Sequence, residues 1–163
     1  RVPVIVDADA INAVAQDKSA LSECACDLIF TPHAAEAARL TGLDISYIEE
    51  NRIEVSRECS EELGAVILLK GHHTIVTSED LTQYITNTGN PGMASVGSGD
   101  VLAGMVGALA AQGMQPFAAA YAAVCIHGAA GDRCAERLSQ RAMLPTDLIE
   151  ALPAVFTEIE GKS

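Results

Sequence analysis

The chain has 163 residues, 49% hydrophobic and 20% charged, a balance that builds a packed core and excludes a disordered chain. Ten basic residues against 22 acidic ones give a formal charge of −12, which excludes a nucleic-acid or anionic-membrane surface as the main partner, because phosphate backbones require clustered Lys and Arg. Small phosphorylated ligands stay open, since main-chain amides at a helix start hold phosphate without net positive charge.

In chain order, Pro3-Val4-Ile5-Val6-Asp7 is a short apolar run ending in a carboxylate, the pattern of a buried parallel strand with chemistry at its C-terminal end. A short helix follows through Asn12 and Val14. Asp27-Leu28-Ile29-Phe30 is a second buried strand, and Pro32 is expected in the first turn of a helix that Gly42 stops. From Ser46 to Leu63, Ile48, Val55, Cys59 and Leu63 share one helical face and glutamates crowd the rest, which predicts a half-solvated helix. Residues 65–69 form a third buried strand closed by Lys70-Gly71. Residues 74–77 and 83–86 predict two short antiparallel strands around a polar turn at Ser78-Glu79-Asp80.

A glycine-rich loop, residues 87–99, then runs into a helix expected to begin near Asp100. Gly104 and Gly107 on that helix are expected to bring it close to the sheet. Helices are predicted over 101–112, 116–137 and 146–151, the last ending ahead of Pro153. Strands alternating with helices predict an α/β parallel sheet. The three candidate parallel strands are few for a complete sheet, so the chain is expected to be the C-terminal part of a larger domain. The apolar stretches 101–111 and 116–126 fall short of the ~20 residues of a bilayer span, so no membrane partner is expected. Five cysteines without a zinc or thioredoxin spacing, in an acidic chain with no recognisable leader, lead to an expected cytoplasmic location.

Four glycines fall within residues 87–100, and Gly97-Ser98-Gly99 opens a helix, so successive N–H groups and the helix dipole converge on one spot suited to phosphate oxygens. Asp100 in the first turn is placed to accept a hydroxyl proton as phosphoryl transfer begins. A flexible turn with a capping Asp remains the plain structural alternative. Lys70-Gly71-His72-His73-Thr74 follows a strand directly, where α/β sheets place ligands, and Lys70 is a candidate phosphate partner. His72 and His73 are expected to point opposite ways on an extended segment, which argues against a shared metal. The run 7–12, with Asp7, Asp9 and Asn12, and His33 after the second strand bring polar groups to the same rim.

These residues together resemble the ribokinase-like ADP- or ATP-dependent NAD(P)H-hydrate dehydratases. The likeness runs from Val4 to Asn12, through Thr31-Pro32-His33, Leu69-Lys70-Gly71 and Thr74, to Gly89-Asn90-Pro91-Gly92-Met93-Ala94 and Gly97-Ser98-Gly99-Asp100. It continues into His127-Gly128-Ala129-Ala130-Gly131-Asp132 and Thr146-Asp147-Leu148-Ile149. Three positions depart from the family pattern: Ala34-Ala35 stands for Pro-Gly, Val96 for a small residue, and Ser98 for Thr.

The resemblance implies a three-layer sheet flanked by helices, here over residues 1–163 as the C-terminal part of the dehydratase domain. It implies a hydro-lyase that returns NAD(P)H hydrate to NAD(P)H by phosphorylating the ring hydroxyl and eliminating phosphate. Asp100 would be the catalytic base. Lys70, Gly71, His72, His73, Thr74, Gly97, Ser98 and Gly99 would hold the nucleotide, and His33, Asp9, Asn12, Asn90 and Asp100 the hydrated dinucleotide. Mg2+ and ADP or ATP are the implied cofactor and co-substrate, with no side chain assigned as a metal ligand. A homo-oligomer and an N-terminal epimerase domain in the full-length protein are further expectations. Two other readings stay open: a sugar or vitamin kinase of the same superfamily, and a catalytically incomplete nucleotide-binding fragment.

Overall fold

The computed structural model describes residues 2–22 and 24–161; Arg1 and Ser163, the ends of the expected 1–163 unit, lie outside the described residues. Alternation along short apolar strands builds two cores at once. In β2 (Leu28–Phe30), Leu28 and Phe30 join one core and Ile29 the other; in β3 (Val66–Leu69), Ile67 and Leu69 part from Val66 and Leu68 in the same way. That split is what a strand covered on both faces requires. With β1 (Val4–Val6), β4 (Ile75–Thr77) and β5 (Gln83–Ile85), these strands form a five-stranded sheet in the order β1-β2-β3-β4-β5.

β1, β2 and β3 run parallel, with Ile5 opposite Ile29 and Ile29 opposite Val66. β4 and β5 turn antiparallel and extend the same sheet, with Leu68 opposite Val76 and Val76 opposite Tyr84. On one face lie α1 (Asp9–Gln16), α2 (Ala34–Thr41), α3 (Ile45–Glu50) and α4 (Arg52–Leu63), burying Ile11, Leu40, Ile48 and Val55. On the other lie α5 (Ser98–Ala111) and α6 (Pro116–Leu138), which bring Leu102, Val106, Ala120 and Ala123 onto the sheet. α7 (Pro145–Gly161) packs on α6 through Val155 and Leu148. The result is the α/β sheet that the strand and helix pattern predicts, in the three-layer arrangement that the resemblance implies.

Four local expectations change. Pro32 stays extended and its carbonyl accepts the Lys70 N–H at 2.7 Å, so α2 starts one turn position later, behind His33. The helix expected from Ser46 to Leu63 breaks at Asn51, whose side-chain amide donates to the Tyr47 carbonyl at 2.9 Å and competes with the helix ladder. The last helix passes through Pro153 and ends at Gly161, because burial of Val155 against Ile126 and Ala130 offsets the hydrogen bond that proline removes. Gly104 faces open space and a Cβ on Gly107 would meet Ile5 at an ordinary 3.9 Å, so neither glycine is needed for α5 to approach the sheet.

Candidate active site

Three parallel strands end at one rim, and the residue after each is polar. Asp7 follows β1, Thr31 follows β2 and Lys70 follows β3. The register makes these neighbours, and they bond. The Thr31 hydroxyl donates to Asp7 Oδ1 at 2.7 Å, and the Lys70 ammonium donates to the same oxygen at 2.9 Å. Glu36, buried at 5% exposure in the first turn of α2, brings a second carboxylate to 3.7 Å from Lys70 Nζ. One ammonium between two partly buried carboxylates is held in a fixed place, because leaving either carboxylate unpaired there is costly.

His33 closes this cluster through a capping box. Its Nδ1 accepts from the Ala35 and Glu36 amides at 3.1 and 3.2 Å, and Glu36 Oε2 accepts from the His33 amide at 2.8 Å. An accepting Nδ1 leaves the ring proton on Nε2, on a side chain half exposed to solvent. From the α4 side, Arg52 donates to the carbonyls of Leu69 and Lys70 at 3.0 and 3.3 Å. Its guanidinium lies where a Cβ on Gly71 would come within 2.7 Å, and Gly71 itself has φ 150°, so the strand end is shaped around glycine.

Across the rim stands the start of α5. Gly97 caps it in the left-handed region at φ 94°, and Ser98 is buried. The Ser98 amide is taken by the Ser95 carbonyl and that of Val101 by Gly97, which leaves the first-turn amides of Gly99 and Asp100 for a ligand. Lys70 Nζ sits 3.4 Å from where a Gly99 side chain would begin, so the free ammonium face and the helix start address one point. Asp100 is exposed beside this point, at the mouth of an open apolar groove of about 420 Å³ lined by Val101, Met105, Ile149 and Leu152.

The loop ahead of α5 is seated on α6. Asp132 accepts from the Gly89 amide at 2.9 Å and from the Asn90 side-chain amide at 3.0 Å, while Asn90 Oδ1 accepts from Gly92 at 3.1 Å. His127, buried on the same helix, has Nε2 3.4 Å from the Ser98 hydroxyl. Burial pushes its pKa down to about 4, so the ring is neutral at physiological pH.

The expected site residues therefore separate. Lys70, Gly97, Ser98, Gly99 and Asp100 converge, and His33 joins Lys70 through Glu36. Thr74 instead spans its own turn, donating to the Gly71 carbonyl at 3.0 Å, and His73 Nδ1 lies 3.0 Å from the Thr86 carbonyl. Asn12 accepts from Arg39 at 3.0 Å and donates to Asp9 at 3.4 Å, forming a group of its own on α1 and α2. His72 and His73 do not diverge: their rings meet edge-on with centroids 3.9 Å apart, because His73 takes φ 54° in a turn rather than an extended segment. The sequence brings Asp7 to the rim without a role, and gives none to Thr31, Glu36, His127 and Asp132. Glu36 carried a signal, the Glu three residues beyond a helix cap, and Asp7 and Thr31 stood at strand ends.

Asp7 and Glu36 are hard oxygen donors of the kind Mg2+ takes, and Mg2+ usually needs only one or two carboxylates beside a nucleotide's phosphates. Among the described residues, no three His, Cys, Asp or Glu side chains form a metal cluster by themselves. Both carboxylates already face the Lys70 ammonium, so a Mg2+ arriving with phosphate would meet Asp7 and Glu36 only alongside that lysine.

The NAD(P)H-hydrate dehydratase family profile matches residues 1–154. The chain belongs to this family. It is 46% identical over 160 residues to the bifunctional NAD(P)H-hydrate repair enzyme Nnr of Moorella thermoacetica, across 98% of this chain and 30% of that protein. It is 45% identical over 132 residues to the ADP-dependent (S)-NAD(P)H-hydrate dehydratase of Neisseria meningitidis, across 80% of this chain and 45% of that one. The ADP/ATP-dependent NAD(P)H-hydrate dehydratase of Bacillus subtilis, co-crystallized with ATP/Mg2+, superposes with a TM-score of 0.87 at 31% identity, over 96% of this chain and 55% of its own. A hydroxyethylthiazole kinase from Pyrococcus horikoshii, 20% identical with a TM-score of 0.72, shares the fold. The chain thus spans less than half of the two curated relatives, and no helix among the described residues is long and apolar enough to cross a membrane.

Proposed function

We propose that this chain is the C-terminal, nucleotide-side part of a ribokinase-like domain that dehydrates NAD(P)H hydrate at the expense of ADP or ATP. The observation that carries the reading is Lys70, fixed by Asp7 and Glu36 and set against the Gly99 end of α5. Its ammonium and the amides of Gly99 and Asp100 hold the phosphoryl group to be transferred, with Gly97 and Ser98 shaping the turn. Bound Mg2+, held by the phosphates with Asp7 and Glu36 at hand, would neutralise charge on the phosphate oxygens.

Asp100 takes the proton of the ring hydroxyl as that oxygen bonds to the terminal phosphorus and the nucleotide leaves one phosphate shorter. Loss of the new phosphate ester as inorganic phosphate, with a ring proton, restores the nicotinamide double bond. The open apolar groove beside Asp100 offers an apolar wall to that side of the bound substrate. His33, half exposed with its Nε2 3.5 Å from Glu36 Oε1, addresses the hydrated dinucleotide through the open part of its ring. Asp9 and Asn12 complete the substrate side, Asn90 shapes it by seating the loop on Asp132, and Gly71, His72, His73 and Thr74 form the turn under the nucleotide.

β1 stands at the edge of the sheet with Val4 exposed, which supports further strands of a longer domain pairing there. The same reading carries a homo-oligomer, a further fused domain that we read as an epimerase, in line with relatives named bifunctional, and the cytoplasm, which suits five free cysteines. The full-length protein, incubated with hydrated NADH and ADP or ATP, is expected to restore the nicotinamide absorbance. No recovery with either nucleotide would overturn the reading.

A further inference from the structure

The sequence run from His127 to Asp132 has no role in the phosphoryl chemistry, yet four of its six residues, His127, Gly128, Gly131 and Asp132, touch the loop that ends in the anion-binding turn, while Ala129 and Ala130 face α7. A Cβ on Gly128 would fall 2.2 Å from the Thr88 hydroxyl and 2.9 Å from its main-chain carbon. A Cβ on Gly131 would fall 2.1 Å from Met93 Sδ. Real contacts of that kind do not occur, so the loop lies directly on the bare backbone of α6. Asp132 then fixes one end of the loop through Gly89 and Asn90, and His127 meets the other end at Ser98. The spacing is helical: positions 127, 128, 131 and 132 share one face of α6.

We propose that this face is the template that sets the anion-binding turn, with His127 as a positioning residue acting through Ser98 and Asp132 as its counterpart at the loop's far end. The proposal rests on the nucleotide reading above and adds residues to it. A glycine-rich turn has many accessible conformations, and phosphate binding needs only the one in which the Gly99 and Asp100 amides converge. His127 is suited to select it. Burial keeps the ring neutral, so it bonds Ser98 without bringing a positive charge that would move with pH above about 4. The contact runs through the Ser98 hydroxyl, while the Ser98 amide is held by the Ser95 carbonyl, so the residue that opens the turn is fixed by both its side chain and its main chain. Asp132 bears a different part: its two oxygens hold the loop entrance, so the chain between Gly89 and Gly97 is pinned at both ends.

Nucleotide binding to the full-length protein tests this by calorimetry with ADP and ATP, alongside thermal melting. The expected result is that His127→Leu weakens nucleotide binding by roughly 10-fold or more, that His127→Asn recovers part of it, and that Asp132→Asn falls between. Ser98→Ala combined with His127→Leu should weaken binding no further than His127→Leu alone, since the two residues act as one unit. In steady state the nucleotide KM should rise more than the hydrated dinucleotide KM. Wild-type affinity in a folded His127→Leu or Asp132→Asn protein, or additive losses in the double variant, would overturn the proposal alone. If His127→Leu fails to fold, the His127→Asn and Asp132→Asn pair decides on the same criterion. Absence of nucleotide binding by the wild-type protein would overturn the nucleotide reading and this inference with it.

Discussion

The two halves of the site are built by different means. At the strand rim, side chains carry the charge, and the sheet places them: Thr31, Asp7, Lys70 and Glu36 are each one or a few residues beyond a strand end. At the start of α5 the backbone carries the charge, and a neighbouring helix places it through Gly128, Gly131, Asp132 and His127. Rim geometry follows from strand register and is stiff. Loop geometry follows from contacts between segments 29 to 43 residues apart in sequence, and it depends on the absence of side chains at two positions. The first should keep its backbone path on loss of a charge, at a cost in stability from the carboxylates left unpaired; the second should lose its shape to a single methyl group.

Asp100, on the loop side but exposed and outside the seating contacts, gives the largest expected effect. Asp100→Asn should lower kcat by about 10²–10⁴ with an unchanged melting temperature, since it removes a proton acceptor and little packing. An unchanged kcat would remove Asp100 from the chemistry. Gly128→Ala comes next: the methyl group cannot fit beside Thr88, and the protein should lose about 1–3 kcal/mol of stability together with nucleotide affinity. Chemical denaturation and nucleotide titration of the same preparation would check both, and a neutral outcome would erase the contrast between stiff rim and seated loop.

Lys70→Met should weaken nucleotide binding by roughly 10-fold while the secondary structure measured by circular dichroism stays as in wild type. Its smaller effect on shape is the other side of the comparison. The smallest change is a pH dependence from His127. Its pKa lies at about 4 in the folded chain against an ordinary 6.5, so below 6.5 the unfolded chain binds a proton that the folded one does not. The stability it contributes is complete above pH 6.5 and is lost as pH falls toward 4, by roughly 1 kcal/mol at pH ~6. Denaturant titrations of wild type and His127→Asn across this range should converge on lowering pH.

What the sequence made legible follows the same division. Apolar runs ending in Asp7 and Lys70 located the parallel strands and the rim, because strand periodicity and strand-end polarity are local signals. The turn at Gly97-Ser98-Gly99 was legible for the same reason. That Lys70 would be shared by Asp7 and Glu36 was not, since the pairing depends on which strands are neighbours. Nor was the seating of Asn90 on Asp132, where both ends of an amide expected to face substrate are engaged by the protein's own chain. The break at Asn51 and the run through Pro153 escaped because side-chain hydrogen bonding and tertiary burial overrode the helical pattern in opposite directions.

The most direct test of the central claim is a count of nucleotide against product. With hydrated NADH and limiting ADP or ATP, phosphorus NMR and nicotinamide absorbance followed together on the full-length protein should show one nucleotide shortened and one inorganic phosphate released per NADH restored. Restoration of NADH without nucleotide consumption, or nucleotide consumption that leaves a stable phosphorylated product and no NADH, would contradict it.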